Sequence, residues 1–345
     1  MKKILVTGAA GFIGYFLSRR LIKEGFEVLG FDNINDYYST DLKYGRLQEL
    51  GISKGDVENS RDGEIINSTD FDNEHFSFVK ADLSDRALMQ NLFRENRFEI
   101  VINLAAQAGV RYSLDNPHAY TSSNVEGFLN ILEGCRNSNI EHLIYASSSS
   151  VYGANAEIPF NTADRSDSPV SLYAATKKAN ELMAFTYAHL YGIPSTGLRF
   201  FTVYGPWGRP DMAYYKFANL MRRGKPIDVY NKGKMSRDFT YIDDIVESIV
   251  RLIPKPPSDN DNSVSTQLFN IGNGSPVNLL EFIEILEEQL GMKAEKNMMP
   301  MQPGDVERTW ADVEDLYEYI DYRPQVNIGE GIGEFVKWYK EYFES

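Results

Sequence analysis

Residues 3–14 read KILVTGAAGFIG, a short apolar stretch that runs directly into closely spaced glycines. The apolar part predicts a buried strand, and the amphipathic pattern that follows it predicts a helix. Glycines at this junction permit a tight turn, let the backbone approach a pyrophosphate and allow the helix to pack closely on the strand. Free N–H groups at the start of the helix can then bind phosphate. The candidate phosphate-binding residues are Gly8, Gly11, Phe12, Ile13 and Gly14.

The end of the second predicted strand indicates which cofactor the glycine turn serves. Asp32 follows the apolar run 27–31, and a carboxylate there suits the ribose hydroxyls of NAD and repels the extra phosphate of NADP. Asn33 stands where an NADP site often has an arginine. Two later strand ends fit the same NAD site, although each is also compatible with a simple strand terminus. They supply Asp82, Leu83, Leu104, Ala105 and Ala106.

Short apolar runs alternate with amphipathic stretches through the first half of the chain. The predicted strands cover residues 3–7, 27–31, 76–81, 100–104, 142–146 and 197–203. The predicted helices cover residues 12–24, 84–96, 117–138 and 171–191. This alternation is typical of the α/β class, with a Rossmann-like, doubly wound parallel sheet and helices on both faces. The polar stretch 51–73 predicts a surface loop outside the core.

A chain of 345 residues exceeds the size at which one hydrophobic core usually stops growing. Residues 1–203 predict an NAD-binding domain to which some later segments return. Residues 204–345, which are rich in Pro, Gly and aromatic side chains, predict mainly a smaller C-terminal α/β substrate lobe. Because ligands of such sheets bind at the carboxyl ends of the strands, we expect that lobe to face those ends.

Composition excludes several classes of function. The formal net charge of −14 disfavours nucleic acid and anionic membranes as partners. The four histidines form no ligand-spaced pair, so no metal site is expected. The single cysteine, Cys135, excludes an intramolecular disulfide and has the context of a buried, inert thiol. No apolar stretch reaches the length of a membrane span, and glycines interrupt the basic N-terminus, so we expect a cytoplasmic protein.

Tyr173 and Lys177 carry the predicted chemistry. They are four residues apart, and hence on one face of the helix predicted over 171–191. A tyrosine is a poor base at neutral pH, but a neighbouring ammonium and a positive nicotinamide ring favour its phenolate. Upstream, the run Ser147 to Ser150 leaves the fifth strand, where hydroxyls can meet a substrate. A glycine turn, strand-end serines and this Tyr/Lys pair, in that order, favour an enzyme over a packing pattern.

With these motifs in this order the chain resembles the extended short-chain dehydrogenase/reductase family, and within it the nucleotide-sugar epimerases that act on UDP-glucuronate. The stretches 105–113 (AAQAGVRYS) and 201–212 (FTVYGPWGRPDM) carry the resemblance. It implies that Tyr173, supported by Lys177, takes the proton of the sugar C4 hydroxyl while NAD accepts hydride from C4. Hydride then returns to the opposite face of a transient 4-keto sugar, so NAD stays tightly bound and is regenerated in each cycle.

The serine run distinguishes related reactions within that family. The resemblance implies that Ser148 and Ser150 hydrogen-bond the C4 oxygen and relay its proton. Dehydratases that resemble this chain carry Asp-Glu where Ser149 and Ser150 stand, and decarboxylases carry a Glu at position 150. Only hydroxyls occur here, which favours epimerisation because that reaction needs no further acid or base.

The resemblance also implies a set of substrate-binding residues. Arg237 matches a diphosphate-binding arginine, whose bidentate guanidinium suits phosphate oxygens. Arg209 and Thr202 would lie near the sugar C6 group, where a guanidinium suits a carboxylate. The alternative is that Arg209 merely pairs with Asp211 on the surface. The remaining candidates are Gln107, Arg111, Ser148, Ser150 and, as a ribose-binding acid, Asp305.

UDP-glucuronate is therefore the favoured substrate and UDP-galacturonate the favoured product. A 4-epimerase of UDP-glucose or of a UDP-N-acetylhexosamine is the alternative, and a non-catalytic NAD-binding regulatory protein is the alternative from another class. The resemblance further implies a homodimer through the helices predicted over 117–138 and 171–191. Apolar residues on these helices suit either the core or that interface: Phe128, Leu132, Leu182, Phe185 and Leu190.

Overall fold

A computed structural model describes residues 1–153, 157–258, 264–302 and 306–344. The chain forms two compact units, and each draws on separate stretches of sequence. The first unit comprises Met1–Gly153, Ser166–Arg199 and Ile249–Phe269. The second unit comprises Ala154–Arg165, Phe200–Ser248 and Asn270–Ser345.

The strands are short and match most of the apolar runs in the sequence. Their bounds are β1 (Lys3–Thr7), β2 (Glu27–Asp32), β3 (Ile65–Asn67), β4 (Phe76–Lys80), β5 (Ile100–Asn103), β6 (His142–Ser148), β7 (Ser195–Phe200), β8 (Thr202–Tyr204), β9 (Ile227–Val229), β10 (Ser236–Tyr241), β11 (Thr266–Ile271), β12 (Pro276–Asn278) and β13 (Lys296–Met298).

The helices alternate with the strands in the first half and dominate the C-terminus. Their bounds are α1 (Phe12–Lys23), α2 (Thr40–Gln48), α3 (Lys54–Asn59), α4 (Arg86–Asn96), α5 (Tyr112–Asp115), α6 (Pro117–Tyr120), α7 (Gly127–Arg136), α8 (Leu172–Tyr191), α9 (Ala213–Arg222), α10 (Ile242–Leu252), α11 (Leu279–Leu290), α12 (Glu314–Ile320) and α13 (Ile328–Glu344). Among the described residues, no helix combines the length and the apolar character that crossing a bilayer requires.

The first unit is organised by an eight-stranded sheet in the order β11-β7-β6-β5-β1-β2-β4-β3. β1 pairs in parallel with β2 on one side and with β5 on the other, so the chain reverses its direction of winding at β1. Such a switch point opens a crevice at the carboxyl ends of the strands, where ligands of doubly wound sheets bind. The predicted α/β fold with a Rossmann-like parallel sheet is confirmed.

One face of this sheet buries an apolar core against α4, α7 and α8. Leu5, Val101 and Leu143 come from adjacent strands, and Ile131 and Ala184 come from the helices; all are fully buried. Cys135 belongs to the same cluster, and burial raises the pKa of its thiol, as expected for an inert cysteine. Removing side chains of this kind from a packed core costs about 2–5 kcal/mol each.

The prediction that residues 51–73 form a loop outside the core is wrong. This stretch contains α3 and β3, and β3 extends the sheet by pairing antiparallel with β4. Its few apolar side chains decide the outcome, because Ile52 and Val57 are fully buried despite the polar residues around them. Polar composition alone does not show whether such isolated apolar residues find a core.

Two further elements differ from the sequence prediction. The helix predicted over 117–138 is divided by a π-helical turn, Thr121–Glu126, between α6 and α7. The strand predicted over 197–203 is divided at Phe201 into β7 and β8, which belong to different sheets. The backbone N–H of Phe201 donates to the carbonyl oxygen of Ile271, 3.1 Å away. Both breaks depend on partners distant in sequence.

The second unit contains a three-stranded sheet in the order β12-β10-β8 and a two-stranded sheet of β13 and β9. β10 pairs in parallel with β8 and antiparallel with β12. An aromatic cluster packs against this unit's last helix, with Phe335 on α13 contacting Tyr214 and Tyr215 on α9. These contacts hold α13 against α9.

Candidate active site

The turn after β1 leaves no room for a side chain at its glycine positions. Gly8 has a φ of +73°, and its N–H donates to the carbonyl oxygen of Phe31, 2.7 Å away. A Cβ on Gly14 would lie 2.1 Å from the Gly8 carbonyl oxygen. This distance is far too short for two non-bonded atoms, so the backbone would have to move. Gly11 caps α1 without a side-chain hydrogen bond, so no capping side chain occupies the N–H groups of the first turn. This geometry fits a pyrophosphate at the helix N-terminus.

Asp32 ends β2 beside the glycine turn, as predicted. Its Oδ1 accepts a 2.9 Å hydrogen bond from the Ile34 N–H, and Lys43 Nζ lies 3.7 Å from the same oxygen. Asn33 Nδ2 donates to Asp82 Oδ2 at 2.7 Å, which brings together two residues that the sequence predicted separately. Burial acts to raise the pKa of Asp82, but hydrogen bonds from Ser84 and Asn33 hold it below its usual value. Carboxylates therefore line the edge of the sheet after β2 and β4.

α2 adds two basic residues that the sequence analysis missed. Lys43 Nζ donates to Asn35 Oδ1 at 3.0 Å. Arg46 is fully buried, and its Nη1 donates to the Ala10 carbonyl oxygen in the glycine turn at 2.8 Å and to the Tyr38 hydroxyl at 2.8 Å. The spacing of Lys43 and Arg46 on one helix was visible in the sequence, but the contact of Arg46 with the glycine turn was not. The positive charge of Arg46 at the glycine turn, with that of Lys43 near Asp32, increases the suitability of this edge for an anionic cofactor.

The segment after β5 closes the other side of the crevice. Thr7 Oγ1 donates to Asn103 Oδ1 at 2.7 Å and accepts from the Ala105 N–H at 3.1 Å. A Cβ on Gly8 would lie 2.9 Å from the Ala105 backbone nitrogen, so the backbone after β5 passes directly beside the glycine turn. Leu104 and Ala106 flank this close approach, which is the placement expected for residues that line a dinucleotide site.

Asn124 is a further residue that the sequence analysis missed. It lies in the π-helical turn, is 2% exposed and hydrogen-bonds both backbone polar groups of Gln107, at 2.7 and 3.1 Å. Its Nδ2 also donates to Thr176 Oγ1 on α8 at 3.0 Å. Asn124 therefore fixes the segment that carries Gln107 and Arg111 relative to the helix that carries Tyr173. A buried asparagine in a break between helices is a recognisable signal once that break is known.

Tyr173 and Lys177 lie in the first turns of α8. The Oγ of Ser171 caps this helix by accepting from the Ala174 N–H at 3.1 Å. The Tyr173 ring makes a T-shaped contact with the buried Tyr120 ring, with 6.0 Å between ring centroids. Lys177 is 2% exposed, its Nζ donates to the Ala146 carbonyl oxygen at 2.9 Å, and burial lowers its pKa to about 8. An ammonium with so little solvent stabilises a neighbouring phenolate more strongly than an exposed one does.

The serine run begins inside β6, which extends to Ser148 and is followed by the 3-10 turn Ser149–Tyr152. Ser148 is 7% exposed, and its Oγ accepts the Ser150 N–H at 3.2 Å. This local bond orients the Ser148 hydroxyl and brings Ser150 back towards the strand end. Lys177 on α8 hydrogen-bonds Ala146 in the same strand. The strand that carries the serines is therefore bonded directly to α8.

Arg209 forms the pair that the sequence analysis held as the alternative. In the second unit its Nε and Nη2 donate to the two carboxylate oxygens of Asp211, at 3.0 and 2.6 Å. The preceding Trp207 has a φ of +55°, which is strained for a bulky residue, and its ring contacts those of Trp338 and Tyr342. The aromatic contacts with α13 hold the loop that carries Arg209.

Arg237 and Thr202 lie on neighbouring strands of the second unit. Arg237 Nη1 donates to the carbonyl oxygens of Ser236 and Glu307, at 2.9 and 3.2 Å. Thr202 pairs with Phe239 in the register of β8 and β10. Asp305 lies outside the described residues. The predicted cofactor and catalytic residues thus lie in the first unit, and Thr202, Arg209 and Arg237 lie in the second.

Comparison with known proteins identifies the family. Residues 4–272 match the NAD dependent epimerase/dehydratase family. A probable UDP-glucuronate 4-epimerase of Rhizobium meliloti is 47% identical over 352 residues, covering 98% of this chain and 97% of the relative. Among solved structures, a UDP-glucuronic acid 4-epimerase from Bacillus cereus in complex with UDP-glucuronic acid and NAD is 31% identical, with a TM-score of 0.82 and 99% of both chains covered. A UDP-glucose 4-epimerase from Thermotoga maritima, with UDP-glucose, is 26% identical, with a TM-score of 0.80 and 99% of both chains covered.

The family match agrees with the geometry of the first unit. The glycine turn, the uncapped start of α1 and the Asp32 carboxylate suit NAD, and the Tyr173–Lys177 helix is attached to the serine-bearing strand. The predicted resemblance, the enzymatic class and the use of NAD are confirmed. This chain belongs to the NAD dependent epimerase/dehydratase family.

Proposed function

We propose that this enzyme converts UDP-glucuronate to UDP-galacturonate by epimerisation at C4. The observation that carries the proposal is the attachment of the Tyr173–Lys177 helix to the strand that bears Ser148, through Lys177 and Ala146. The relatives named above support the substrate, since they include UDP-glucuronate 4-epimerases over nearly the full length of this chain. Each site residue has a separate role in this reaction.

Tyr173 acts as the base that removes the proton from the C4 hydroxyl. When bound, NAD supplies a reversible hydride acceptor for C4 chemistry. Lys177 provides a buried positive charge one helical turn from Tyr173 and so favours the phenolate form. Return of hydride to the other face of C4 and of the proton from Tyr173 to the C4 oxygen would complete the epimerisation, so the same tyrosine serves as base and acid.

Ser148 and Ser150 hold the C4 oxygen and relay its proton. Their hydroxyls are neutral, and positions 147–150 offer no carboxylic acid for removing water or carbon dioxide. Gly8, Gly11 and Gly14 let the cofactor's pyrophosphate approach the backbone at α1, and Asp32 accepts hydrogen bonds from a ribose. Water elimination and decarboxylation are therefore less well served by this site than epimerisation.

Residues of the second unit bind the rest of the nucleotide sugar in this proposal. Arg237 binds the diphosphate, and Thr202 and Arg209 bind the C6 carboxylate. Gln107 and Arg111, in the segment held by Asn124, are further proposed sugar-binding residues. Asp305 retains its predicted role as a ribose-binding acid.

UDP-glucose is the second candidate substrate, and one observation favours it. The Nε–Nη2 edge of Arg209 is already occupied by Asp211, so a substrate carboxylate would need the remaining edge or would displace Asp211. A neutral C6 hydroxymethyl group places no such demand on Arg209. The Thermotoga maritima structure shows that this fold also accommodates UDP-glucose in a relative.

We further propose a homodimer formed through α7 and α8. Phe128 and Leu132 belong to the core, but Leu182, Phe185 and Leu190 on α8 are between 51% and 59% exposed. A row of large apolar side chains on one helix is typical of a surface that pairs with another protein. A second copy of α7 and α8 would cover it symmetrically.

The cytoplasm is the proposed location. The only cysteine, Cys135, is buried in the core and can form no intramolecular disulfide, which suits a reducing compartment.

The decisive experiment is incubation of the purified protein with UDP-glucuronate, without added NAD, followed by NMR of the anomeric protons. UDP-galacturonate should appear, and the same ratio should be reached from either side. The Tyr173→Phe variant is the matched control and should form no product. No conversion of UDP-glucuronate, even with NAD added, would refute the glucuronate assignment; conversion of UDP-glucose would then support the second candidate, and inertness towards all nucleotide sugars a regulatory protein.

A further inference from the structure

Helix α8 is fastened to the end of β6 at two successive residues. The Ala146 carbonyl oxygen accepts from Lys177 Nζ at 2.9 Å, and the Ser147 hydroxyl donates to Glu181 Oε1 at 2.6 Å. Lys177 and Glu181 are one helical turn apart, so two consecutive turns of the helix hold two consecutive residues of the strand. The next strand residue is Ser148. Any movement of α8 along β6 would therefore have to break both bonds.

The second of these attachments ends in a buried ion pair. Arg199 on β7 is 1% exposed, and its Nε and Nη2 donate to the two oxygens of Glu181 at 2.8 and 2.9 Å. Lys178 Nζ adds a bond of 3.1 Å to Glu181 Oε2. Burial acts to raise the pKa of Glu181, but Arg199 outweighs it and holds that pKa below the usual range. Glu181 is therefore an ionised, fully bonded junction between three elements.

Arg199 extends the junction to the turn beyond the serines. Its guanidinium lies over the Tyr152 ring, 4.7 Å from the centroid, and its Nη2 donates to Ser166 Oγ at 3.3 Å. Tyr152 is the last residue of the 3-10 turn that begins at Ser149. The same guanidinium thus contacts the helix that carries Tyr173 and the turn that carries Ser150.

A buried ion pair is a poor source of stability, because desolvation of the two charges offsets most of their attraction. What such a pair does supply is a defined geometry, since a bidentate guanidinium–carboxylate contact tolerates little rotation. We propose that Glu181, Arg199 and Ser147 are positioning residues that set the distance between Tyr173 on α8 and the hydroxyls of Ser148 and Ser150. This inference rests on the proposed epimerisation, in which those groups act on one C4 hydroxyl.

The first test compares two buried serines on neighbouring strands. Ser147→Ala removes the bond to Glu181 and leaves the Glu181–Arg199 pair in place. Ser195→Ala is the matched control, because Ser195 is also fully buried but bonds the Ile193 carbonyl oxygen at the amino end of β7. Ser147→Ala should lower kcat about tenfold or more with little change in KM, since small displacements of reacting groups are costly. Ser195→Ala should leave kcat and KM unchanged.

The second test removes the ion pair without leaving a lone buried charge. The double variant Glu181→Leu with Arg199→Met should fold and retain NAD, because apolar replacement of a buried pair is often neutral for stability. Its kcat should fall at least as far as that of Ser147→Ala. The acidic limb of its kcat/KM profile should also move to higher pH, because a displaced Lys177 supports the Tyr173 phenolate less well.

Both tests use whichever UDP-sugar the wild-type enzyme epimerises, so an error in the substrate assignment leaves them informative. Equal kcat values for Ser147→Ala and Ser195→Ala, or a double variant with wild-type kcat and an unshifted pH profile, would overturn the positioning role. If Ser147→Ala and the double variant lose cofactor, thermal stability and activity in parallel, the positioning role would be overturned as well. Such a result indicates a structural role only.

Discussion

The Nζ of Lys177 donates a 2.9 Å hydrogen bond to the carbonyl oxygen of Ala146 and has almost no contact with solvent. Burial lowers the pKa of Lys177 from 10.5 to about 8. Keeping this side chain charged at neutral pH therefore costs folding stability. The cost is fully present below about pH 8, and it disappears as the pH rises to about 10.5, because only the unfolded chain still binds the proton in that window.

Lys177→Met should therefore separate stability from activity. Removing the buried charge should raise the free energy of unfolding by up to about 3 kcal/mol near neutral pH. Loss of the hydrogen bond to Ala146 should lower it by about 1 kcal/mol, so the variant should be more stable than the wild type. Activity should fall by about a hundredfold or more, since Tyr173 loses its supporting charge. Urea unfolding at neutral pH and near pH 10 checks this prediction: the advantage of the variant should shrink at the higher pH. A difference from wild type that is independent of pH would contradict it.

Gly14→Ala should abolish cofactor retention. The new Cβ would meet the Gly8 carbonyl oxygen at 2.1 Å, so the turn that binds the pyrophosphate has to move. Gly55→Ala is the control, because a Cβ at this helical position meets no atom closer than 3.8 Å. The control should be neutral or gain up to about 1 kcal/mol of stability. Both are checked by measuring the NAD released from the denatured proteins; normal retention in Gly14→Ala would show that the turn does not bind it.

Asp32→Asn should shift cofactor preference from NAD towards NADP. The amide oxygen can still accept the Ile34 N–H, while the negative charge that repels a 2′-phosphate is gone and Lys43 remains 3.7 Å from the Asp32 position. The ratio of NADP to NAD affinity should rise about tenfold or more. Titration of the cofactor-free protein with each dinucleotide measures it. Asp36→Asn is the control, because Asp36 is exposed on the same loop, and it should leave the ratio of NADP to NAD affinity unchanged. If Asp32→Asn also leaves this ratio unchanged, Asp32 does not belong to the cofactor site.

Arg209→Met should discriminate between the two candidate substrates. If Arg209 binds the C6 carboxylate, kcat/KM for UDP-glucuronate should fall about a hundredfold, as expected for loss of a charge-assisted hydrogen bond, whereas any UDP-glucose activity should persist. Asp211→Asn is the informative companion, since it weakens the competing pair and should improve UDP-glucuronate binding. Equal losses with both substrates in Arg209→Met would instead indicate that the Arg209–Asp211 pair only stabilises its loop.

Leu182→Glu combined with Phe185→Glu should produce a monomer. Both side chains are more than half exposed on α8, and charges there would oppose pairing with a second copy. Sedimentation velocity measures the mass of the assembly in solution. Leu114→Glu is the control, because Leu114 is 72% exposed but lies on α5, outside the two helices of the proposed interface. A monomeric wild-type protein would refute the dimer, and so would a double variant that remains dimeric.

The amino-acid sequence by itself determined the class of fold and the chemical groups available. The run 3–14 predicted β1, the glycine turn and α1, because apolar periodicity and the stereochemistry of glycine act between neighbouring residues. The same local rules predicted the bounds of α8 closely, so Tyr173 and Lys177 were expected on one helical face. The polar stretch 51–73 was misjudged because burial of Ile52 and Val57 depends on elements packed around them.

Only the tertiary structure decided which distant residues complete the site. Arg46 reaches the turn at Ala10, Asn124 joins Gln107 to Thr176, and Glu181 joins Ser147 to Arg199. None of these pairings follows from spacing along the chain. Each depends on how helices pack on the sheet, and burial then sets the energy, because a polar group removed from water has to find its partner within the fold. The separation of core Phe128 from exposed Phe185 has the same origin.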